Sequence, residues 1–194
     1  MPSDPHPFPL HDETTAPPAA AAALAATRKN FGMIPNLERV MASAPPLLEA
    51  YSRAWDLFDT TTLGEVERQV VYLTANFEND CAYCVPWHTL LAMKAGMSPK
   101  AIEALRSGSR IPDAKLEALR TFTRTLIANR GKAVAADLEA FYAAGYSPTQ
   151  VLEVILGLAV KLMSNYTNSV AATPLDPQPA PFRWKKPLIP PRDA

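Results

Sequence analysis

Residues 79–88, with the sequence N-D-C-A-Y-C-V-P-W-H, contain both cysteines of the chain and one of its three histidines. Cys81, Cys84 and His88 follow the spacing C-x-x-C-x-x-x-H, and positions i, i+3 and i+7 lie on one side of a helix. Two thiols brought together by the first turn of a helix can form a disulfide, and a histidine beside them can take a proton. The spacing therefore predicts a dithiol with an adjacent acid–base group.

Pro86 predicts where the helices around the cysteines end and begin. Proline is unfavourable inside a helix but favourable at its first position, so we expect one helix to end near Cys81 and the next to begin near Pro86. Cys84 would then lie at a helix N-terminus, where free N–H groups and the helix dipole stabilise an anion. Because the thiolate is the reactive form of cysteine, we predict a lowered pKa for Cys84, with His88 assisting its deprotonation.

Length and charge limit the class of protein. The 194 residues are enough for one domain with a substantial core, and 19 basic residues balance 19 acidic ones, which argues against nucleic acid or an anionic membrane surface as a partner. No signal peptide is evident, and no apolar window approaches the ~18 residues of a membrane span. We therefore expect a cytoplasmic protein, in which a lone C-x-x-C indicates redox chemistry rather than a structural disulfide.

Composition predicts an all-α fold with two extended arms. Glycine is scarce, alanine and leucine are abundant, and most of the 20 prolines lie in the first 46 residues or after Thr173. We expect a Pro-rich arm at residues 1–18, a helical domain at 19–173 and a second Pro-rich arm at 174–194. The second arm carries Phe182, Trp184, Leu188 and Ile189, so it should pack on its own domain or on a neighbouring subunit.

Periodicity, caps and prolines predict the individual helices. They span residues 18–29, 37–42, 45–58, 62–79, 86–94, a segment starting at 99, and 113–129, 134–143 and 148–163. Thr62, three residues before Glu65, predicts a capping box. The sequence A-G-M-S-P at 95–99 returns as A-G-Y-S-P at 144–148, and each copy precedes an apolar helix. We favour a duplicated helical hairpin over coincidence in a common connector.

The run 68–96, with its C-x-x-C-x-x-x-H core and an asparagine two residues ahead, resembles the alkylhydroperoxidase D (AhpD)-like branch of the carboxymuconolactone decarboxylase superfamily. Residues 31–36 and 44–45, and a late helix with its exit at 174–176, are similar too, so the resemblance spans about 31–176. It implies an all-helical AhpD-like bundle with the C-x-x-C at a helix junction near a subunit interface. It also implies a homo-oligomer, either a dimer, a trimer or a hexamer.

The resemblance also implies roles for the site residues. Cys84 matches a buried attacking cysteine, Cys81 a more exposed resolving cysteine, and His88 a proton-relay histidine. The family's relay includes a glutamate twelve residues before the first cysteine, and here that position is Gln69. Glutamine keeps the shape and the hydrogen-bonding capacity but cannot act as a base.

Three more residues in and beside the motif are candidates for the site. Glu78 and Asp80, beside the thiols, could supply the carboxylate that Gln69 lacks, and Trp87 could shape a pocket above the thiols. Asn165 and Asn168 are expected to cap or bridge helices rather than contact substrate.

We predict a thiol-dependent peroxidase. Cys84 would attack a small organic hydroperoxide and become a sulfenic acid, Cys81 would condense with it to a disulfide, and an external dithiol would restore the pair. His88 would take the thiol proton, with Gln69 orienting it. One alternative is a disulfide reductase or redox sensor of the same fold without significant peroxide turnover. A third is a lactone decarboxylase or a non-catalytic helical oligomer with incidental thiols.

The sequence favours no cofactor and no metal. A structural zinc site takes four ligands, whereas only the two cysteines and one histidine cluster here, so zinc ranks below redox chemistry and below two inert buried cysteines. The expected partners are the hydroperoxide, the dithiol reductant and further copies of the chain.

Overall fold

The computed structural model describes residues 8–188, and within this range the chain is helical and contains no strand. Its helices are α1 (Pro18–Phe31), α2 (Asn36–Met41), α3 (Pro45–Asp59), α4 (Glu65–Glu78), α5 (Cys84–Lys94), α6 (Pro99–Ser107), α7 (Ala114–Ala128), α8 (Ala135–Ala143) and α9 (Pro148–Ala171), followed by a 3₁₀ turn at Ala180–Phe182. The predicted all-α class is confirmed. The outer parts of the predicted arms, residues 1–7 and 189–194 with Ile189, lie outside the described residues.

The start of α4 differs from the prediction. Gly64 precedes its first residue, and the Glu67 carboxylate accepts a hydrogen bond from the Gly64 N–H at 2.8 Å. Thr62 instead donates its N–H and its hydroxyl to the carboxylate of Glu153 on α9, each at 2.8 Å. The predicted capping box of Thr62 and Glu65 is therefore wrong, because a carboxylate from a distant helix binds the threonine.

The end of α9 also differs. This helix continues to Ala171 rather than ending near residue 163. The added turns contain Ser164, Asn165 and Asn168, all of which are buried. The apolar pattern ends early because α9 buries polar side chains here, and the sequence pattern alone reads such residues as a helix end.

Cys84 lies at the N-terminus of α5, as predicted, but the helix begins at Cys84 rather than at Pro86, which is its third residue. Cys81 lies in the preceding turn, and its sulfur accepts a hydrogen bond from the Cys84 N–H at 3.2 Å. The three-residue stripe predicted on one helix is therefore wrong, since only Cys84 and His88 belong to α5. Cys81 satisfies one of the free N–H groups at the start of that helix.

The core is built around α4, which packs against α5, α7 and α9, while α3 packs against α1 and α9. Gly157 on α9 allows a close approach, because a Cβ atom there would lie 2.6 Å from the ring of Phe58 on α3 and 2.9 Å from Val71 on α4. This contact brings the later turns of α9 alongside the α4–α5 junction that carries the thiols.

The described parts of both arms fold back on the helical domain. The guanidinium group of Arg39 on α2 donates hydrogen bonds to the carbonyl groups of Leu10 at 3.0 Å and His11 at 2.9 Å. The indole N–H of Trp184 donates to the carbonyl of Arg106 at 2.8 Å, and its ring lies 5.8 Å from that of Phe77. The second arm was predicted to pack on its own domain or on a neighbouring subunit, and its described residues pack on its own domain.

The two similar connectors have the same local geometry. Gly96 and Gly145 have φ angles of 78° and 91°, and Ser98 and Ser147 each accept a hydrogen bond from the N–H three residues later at 3.3 Å. The helices that follow differ in length, since α6 ends at Ser107 and α9 at Ala171. Duplication of a helical hairpin stays a prediction.

Among residues 8–188, no single helix is long and apolar enough to cross a membrane. Only α8 and α9 counted together reach that length and hydropathy, and they are bent by 106° at the break between them.

Candidate active site

A cavity of about 330 Å³ lies beside the C-x-x-C motif, between α1, α2, α3, α5 and α9. Cys84, His88 and Lys161 line it, whereas Cys81 does not. Aromatic rings line much of the remainder, contributed by Phe31, Tyr51, Trp55, Tyr83 and Trp87. Trp87, for which the sequence left open a pocket role or plain packing, lines the cavity. A small organic molecule in this cavity would meet one sulfur atom and several aromatic faces.

The sulfur of Cys84 is buried and held by side chains of α9. The side-chain amides of Asn165 and Asn168 donate hydrogen bonds to it at 3.1 Å and 3.2 Å. Asn165 also donates to the amide oxygen of Asn76 at 2.9 Å and accepts from the amide of Asn79 at the same distance, so its orientation is set by α4. The expectation that Asn165 and Asn168 merely cap or bridge helices is therefore incomplete, since both also contact the thiol.

These groups make Cys84 acidic. Burial by itself would raise the pKa of Cys84, but the thiol hydrogen of Cys81, the charge of Lys161 and the amides of Asn168 and Asn165 stabilise the thiolate and lower the pKa to about 6. The direction predicted from the sequence is correct. The amides and the charge that stabilise the thiolate come from α9, which the sequence reasoning did not include.

Cys81 behaves in the opposite way. Its hydrogen bond to the Cys84 sulfur, together with burial, raises the pKa of Cys81, so this thiol keeps its proton. Both residues are free thiols, with exposed fractions of 5% for Cys81 and 2% for Cys84. The expected contrast in exposure is small, and the clearer difference is that Cys84 faces the cavity.

His88 lies between Gln69 and Lys161. Its Nδ1 atom is 2.9 Å from the Gln69 amide oxygen, and its Nε2 atom is 2.9 Å from the Lys161 ammonium nitrogen. Because an amide oxygen only accepts, Nδ1 carries the proton and Nε2 accepts from Lys161. Burial, and then the charge of Lys161, lower the pKa of His88 well below its ordinary value, so the ring is neutral. The predicted pairing of His88 with Gln69 is present, but the other ring nitrogen faces Lys161.

Sequence reasoning missed Lys161, which is 1% exposed on α9 with its ammonium nitrogen 5.3 Å from the centre of the Tyr72 ring. Burial lowers the pKa of Lys161, while the neighbouring thiols act against that shift. A signal for it does exist in the sequence. Lys161, Asn165 and Asn168 follow the spacing i, i+4, i+7, so a lone lysine in an apolar run shares one helix face with two asparagines.

The acidic residues beside the motif do not serve the site. The backbone carbonyl of Glu78 binds Lys186, Asp80 is exposed in the turn with φ of 52°, and neither lines the cavity. The expectation that one of them replaces the family's glutamate is wrong. The carboxyl groups in the cavity wall come from α2 and α3 instead and belong to Glu38, Asp56 and Asp59. In residues 8–188, no three His, Cys, Asp or Glu side chains are grouped in a way that could hold a metal ion.

Asp176, in the segment after α9, joins three parts of the site. Its buried carboxyl group accepts hydrogen bonds from the Asn36 N–H at 3.1 Å, the Tyr83 hydroxyl at 2.5 Å and the Trp87 indole N–H at 3.0 Å. The Tyr83 oxygen also accepts from the Leu37 N–H at 3.1 Å. The start of α2 is thereby tied to the start of α5, across the cavity from α9.

The family model for carboxymuconolactone decarboxylase matches residues 45–123, a range that contains α3 to α6, the C-x-x-C-x-x-x-H motif and most of α7. A peroxidase-related protein from Ralstonia eutropha JMP134, described as an AhpD core, superposes with a TM-score of 0.79 at 17% identity, over 91% of this chain and 96% of that one. The chain therefore has the AhpD-like fold, and its residues 45–123 are similar to the carboxymuconolactone decarboxylase family.

Two further structures share this AhpD-like fold. A peroxidase-related protein from Silicibacter sp. TM1040 gives a TM-score of 0.76 at 17% identity, with 92% of this chain and 96% of that one covered. The debrominase Bmp8, in complex with 2,3,4-tribromopyrrole, gives 0.72 at 15% identity, with 90% and 93% covered. The sequence matches none of the curated proteins with which it was compared.

Proposed function

We propose that this AhpD-like protein is a thiol-dependent peroxidase that reduces small organic hydroperoxides to alcohols. The observation that carries the proposal is a buried Cys84 with a pKa of about 6, facing a cavity lined by aromatic rings, with a second thiol hydrogen-bonded to its sulfur. A free cysteine has a pKa of about 8.5, so Cys84 is unusually rich in the nucleophilic thiolate at neutral pH.

In the first step the Cys84 thiolate attacks the distal oxygen of the hydroperoxide. The O–O bond breaks, Cys84 becomes a sulfenic acid, and the alkoxide leaves and takes up a proton as the alcohol. The amides of Asn165 and Asn168 orient the sulfur, because both donate to it from α9. The aromatic lining of the cavity favours an organic hydroperoxide over hydrogen peroxide.

In the second step Cys81 resolves the sulfenic acid. Its sulfur bonds to that of Cys84, the Cys84 hydroxyl leaves with a proton as water, and the pair becomes a disulfide. Only a short movement is needed, because the Cys81 sulfur already lies 3.2 Å from the Cys84 backbone nitrogen. An external dithiol then reduces the pair by thiol–disulfide exchange.

His88 and Gln69 act through Lys161. Gln69 holds the neutral ring with Nε2 towards the lysine, and that nitrogen accepts a hydrogen bond from the ammonium group at 2.9 Å. This hydrogen bond holds the Lys161 ammonium group beside the thiolate. Nε2 of His88 is also a base that can accept a proton from Lys161. His88 and Gln69 are therefore positioning residues for the group that keeps Cys84 ionised.

A second candidate is reductive dehalogenation of a small aromatic compound. The aromatic lining of the cavity favours it, and one structural relative is a debrominase bound to a tribrominated pyrrole. In the overall reaction a carbon–halogen bond is replaced by a carbon–hydrogen bond, halide leaves, and the dithiol becomes a disulfide. The same pair of cysteines would supply the two electrons.

The deciding experiment is steady-state consumption of cumene hydroperoxide with dithiothreitol, beside bromide release from tribromopyrrole. Wild type should consume the hydroperoxide, Cys84→Ser should be inactive, and Cys81→Ser should react once without forming the internal disulfide. Gln69→Glu should be faster, because a carboxylate that accepts from Nδ1–H makes Nε2 of His88 a stronger acceptor for Lys161. Bromide release without peroxide consumption would favour the second candidate. Disulfide exchange without either reaction would indicate a reductase or redox sensor.

We also propose that the protein is a homo-oligomer that associates through α9. Large apolar side chains on its outer face are exposed, namely Leu152, Ile155, Leu162, Tyr166 and Val170, with exposed fractions from 50% to 73%. Their spacing of three, seven, four and four residues keeps them on one stripe along the helix. A second copy of α9 presents the same stripe, so two copies can cover each other.

A further inference from the structure

The cavity contains a carboxyl group to which the mechanism above gives no role. Glu38, on α2, lines the cavity together with Cys84 and Lys161, and its Oε2 atom is buried without a hydrogen-bond partner. A buried carboxyl oxygen with no protein partner is costly in the ionised form, and its remaining hydrogen-bonding capacity is free for a ligand. Lys161, whose positive charge acts on Glu38, is already engaged with His88.

The surroundings of Glu38 keep it protonated. Burial is the main cause that raises the pKa of Glu38 to about 8, and the charges of Asp176 and Cys84 act in the same direction, while its own backbone N–H and Lys161 act against them. Cys84, with a pKa of about 6, is thus more acidic than Glu38, with a pKa of about 8. This is the reverse of the usual order for a thiol and a carboxyl group. At neutral pH the carboxyl group holds a proton and the thiol does not.

We propose that Glu38 is the general acid of this site, donating its proton to the alkoxide that leaves when Cys84 attacks a hydroperoxide. This inference rests on the peroxidase function proposed above. The two groups belong to different helices that line one cavity, and Asp176 fixes the start of α2 relative to that of α5. A hydroperoxide between them has its distal oxygen at the sulfur and its proximal oxygen free to meet the carboxyl group.

The protons and electrons balance in this scheme. The Cys84 thiolate supplies an electron pair to the distal oxygen, the O–O bond breaks, and the proximal oxygen takes the Glu38 proton and leaves as the alcohol. Cys81 then contributes its proton to the water released when the disulfide forms. The external dithiol then reduces the disulfide and supplies one proton to Cys81 and one to Glu38. Cys84 is thereby regenerated as a thiolate.

The other two cavity carboxyl groups fit this role less well. Asp59 is paired with Arg68 at 3.3 Å, which favours its ionised form against the effect of burial. Of the cavity carboxyl groups in the described part of the chain, Glu38 is also the one with a buried oxygen that lacks a partner. With the proton donor on α2, this scheme needs no carboxyl group at the position of Gln69.

The test compares two oxidants that differ in their need for a proton. The alkoxide from tert-butyl hydroperoxide is strongly basic and needs a general acid, whereas the carboxylate from peracetic acid is weakly basic and leaves without one. Single-turnover oxidation of Cys84 would be followed with both oxidants in wild type, in Glu38→Gln and in Glu49→Gln. The last variant makes the same change at an exposed residue of α3 away from the cavity.

We expect Glu38→Gln to slow the reaction with tert-butyl hydroperoxide by about 10²–10⁴-fold, the usual contribution of a general acid, and to change the reaction with peracetic acid little. Glu49→Gln should change neither. An equal loss with both oxidants, or no loss with either, would overturn the role of Glu38 while leaving the peroxidase function intact. A wild-type protein inert towards both oxidants would overturn the peroxidase function, and the general-acid role with it.

Discussion

At the scale of single residues, the site depends on which of two thiols loses its proton. Cys81 and Cys84 are three residues apart and both are buried, yet their pKa values move in opposite directions. The difference arises first because the Cys81 thiol donates its hydrogen to the Cys84 sulfur, and then because Lys161 and the two asparagine amides of α9 stabilise charge on that sulfur. The cavity-facing thiol becomes the nucleophile, and its neighbour keeps the proton that resolution requires.

Replacing Lys161 by methionine tests this account. The pKa of Cys84 is lowered by a positive charge, so its thiol is ionised above about pH 6 and protonated below it. Without that charge the pKa should rise by about one to two units, and the thiolate fraction at pH 7 should fall by about twofold to tenfold. Iodoacetamide alkylation in a Cys81→Ser background would show this as a pH profile displaced to higher pH.

The control for Lys161→Met is Lys115→Met. Lys115 is half-exposed and pairs with Glu67 at 3.0 Å, away from the cavity, so its loss should leave the alkylation profile unchanged. An unchanged profile in Lys161→Met as well would mean that the asparagine amides hold the thiolate without the lysine charge, since the Cys81 thiol is absent from this background.

At the scale of the helices, the site brings together the starts of α2 and α5 and the later turns of α9. Cys84 stands at the start of α5, Glu38 near the start of α2, and the thiol-binding amides near the end of α9. Asp176 connects two of these ends by accepting hydrogen bonds from the first N–H of α2 and from two aromatic side chains around α5. The chain after α9 is therefore part of the site and not only an exit from the domain.

Removing this connection should cost stability as well as activity. Asp176→Ala leaves three donors unpaired in a buried region, so the free energy of unfolding should fall by at least about 1.5–3 kcal/mol. Tyr83→Phe removes only one of those donors and should cost about 1 kcal/mol. Denaturant unfolding followed by tryptophan fluorescence would measure both, and equal losses in the two variants would show that Asp176 does not act as a shared acceptor.

At the scale of the whole molecule, α9 has two faces with different tasks. One face buries Lys161, Asn165 and Asn168 against the thiol, and the opposite face exposes a stripe of large apolar side chains. A proposed partner copy on the stripe would fix the helix that holds the nucleophile. Assembly and reactivity would then be linked through a single helix.

Leu162→Lys tests the proposed assembly, because Leu162 lies within the stripe, is 50% exposed and points away from the site. A charge there should reduce the mass measured by sedimentation equilibrium to that of a smaller species. Lys100, exposed on α6, offers a control in Lys100→Ala, which should leave the mass unchanged. A monomeric wild-type protein would contradict the proposal directly.

Much of the fold was predictable because its signals are local. Prolines, serine caps and helical periodicity predicted each of the nine α-helices in residues 8–188, although some of their ends differ. Two of the errors arise where packing between distant segments decides the local structure. The Glu153 carboxylate binds Thr62, which therefore does not form the predicted cap. The last turns of α9 bury polar residues, so the apolar pattern ends before the helix does.

The sequence by itself determined the dithiol, its place at the start of α5 and the direction of the Cys84 pKa, because spacing and helix ends are properties of neighbouring residues. It also paired Gln69 with His88, guided by family resemblance. Only the tertiary structure decided that Lys161 and two asparagines surround the sulfur, that Glu38 lines the same cavity and that Asp176 joins α2 to α5. Those residues lie on other segments, and the way helices pack decides which of their faces meet.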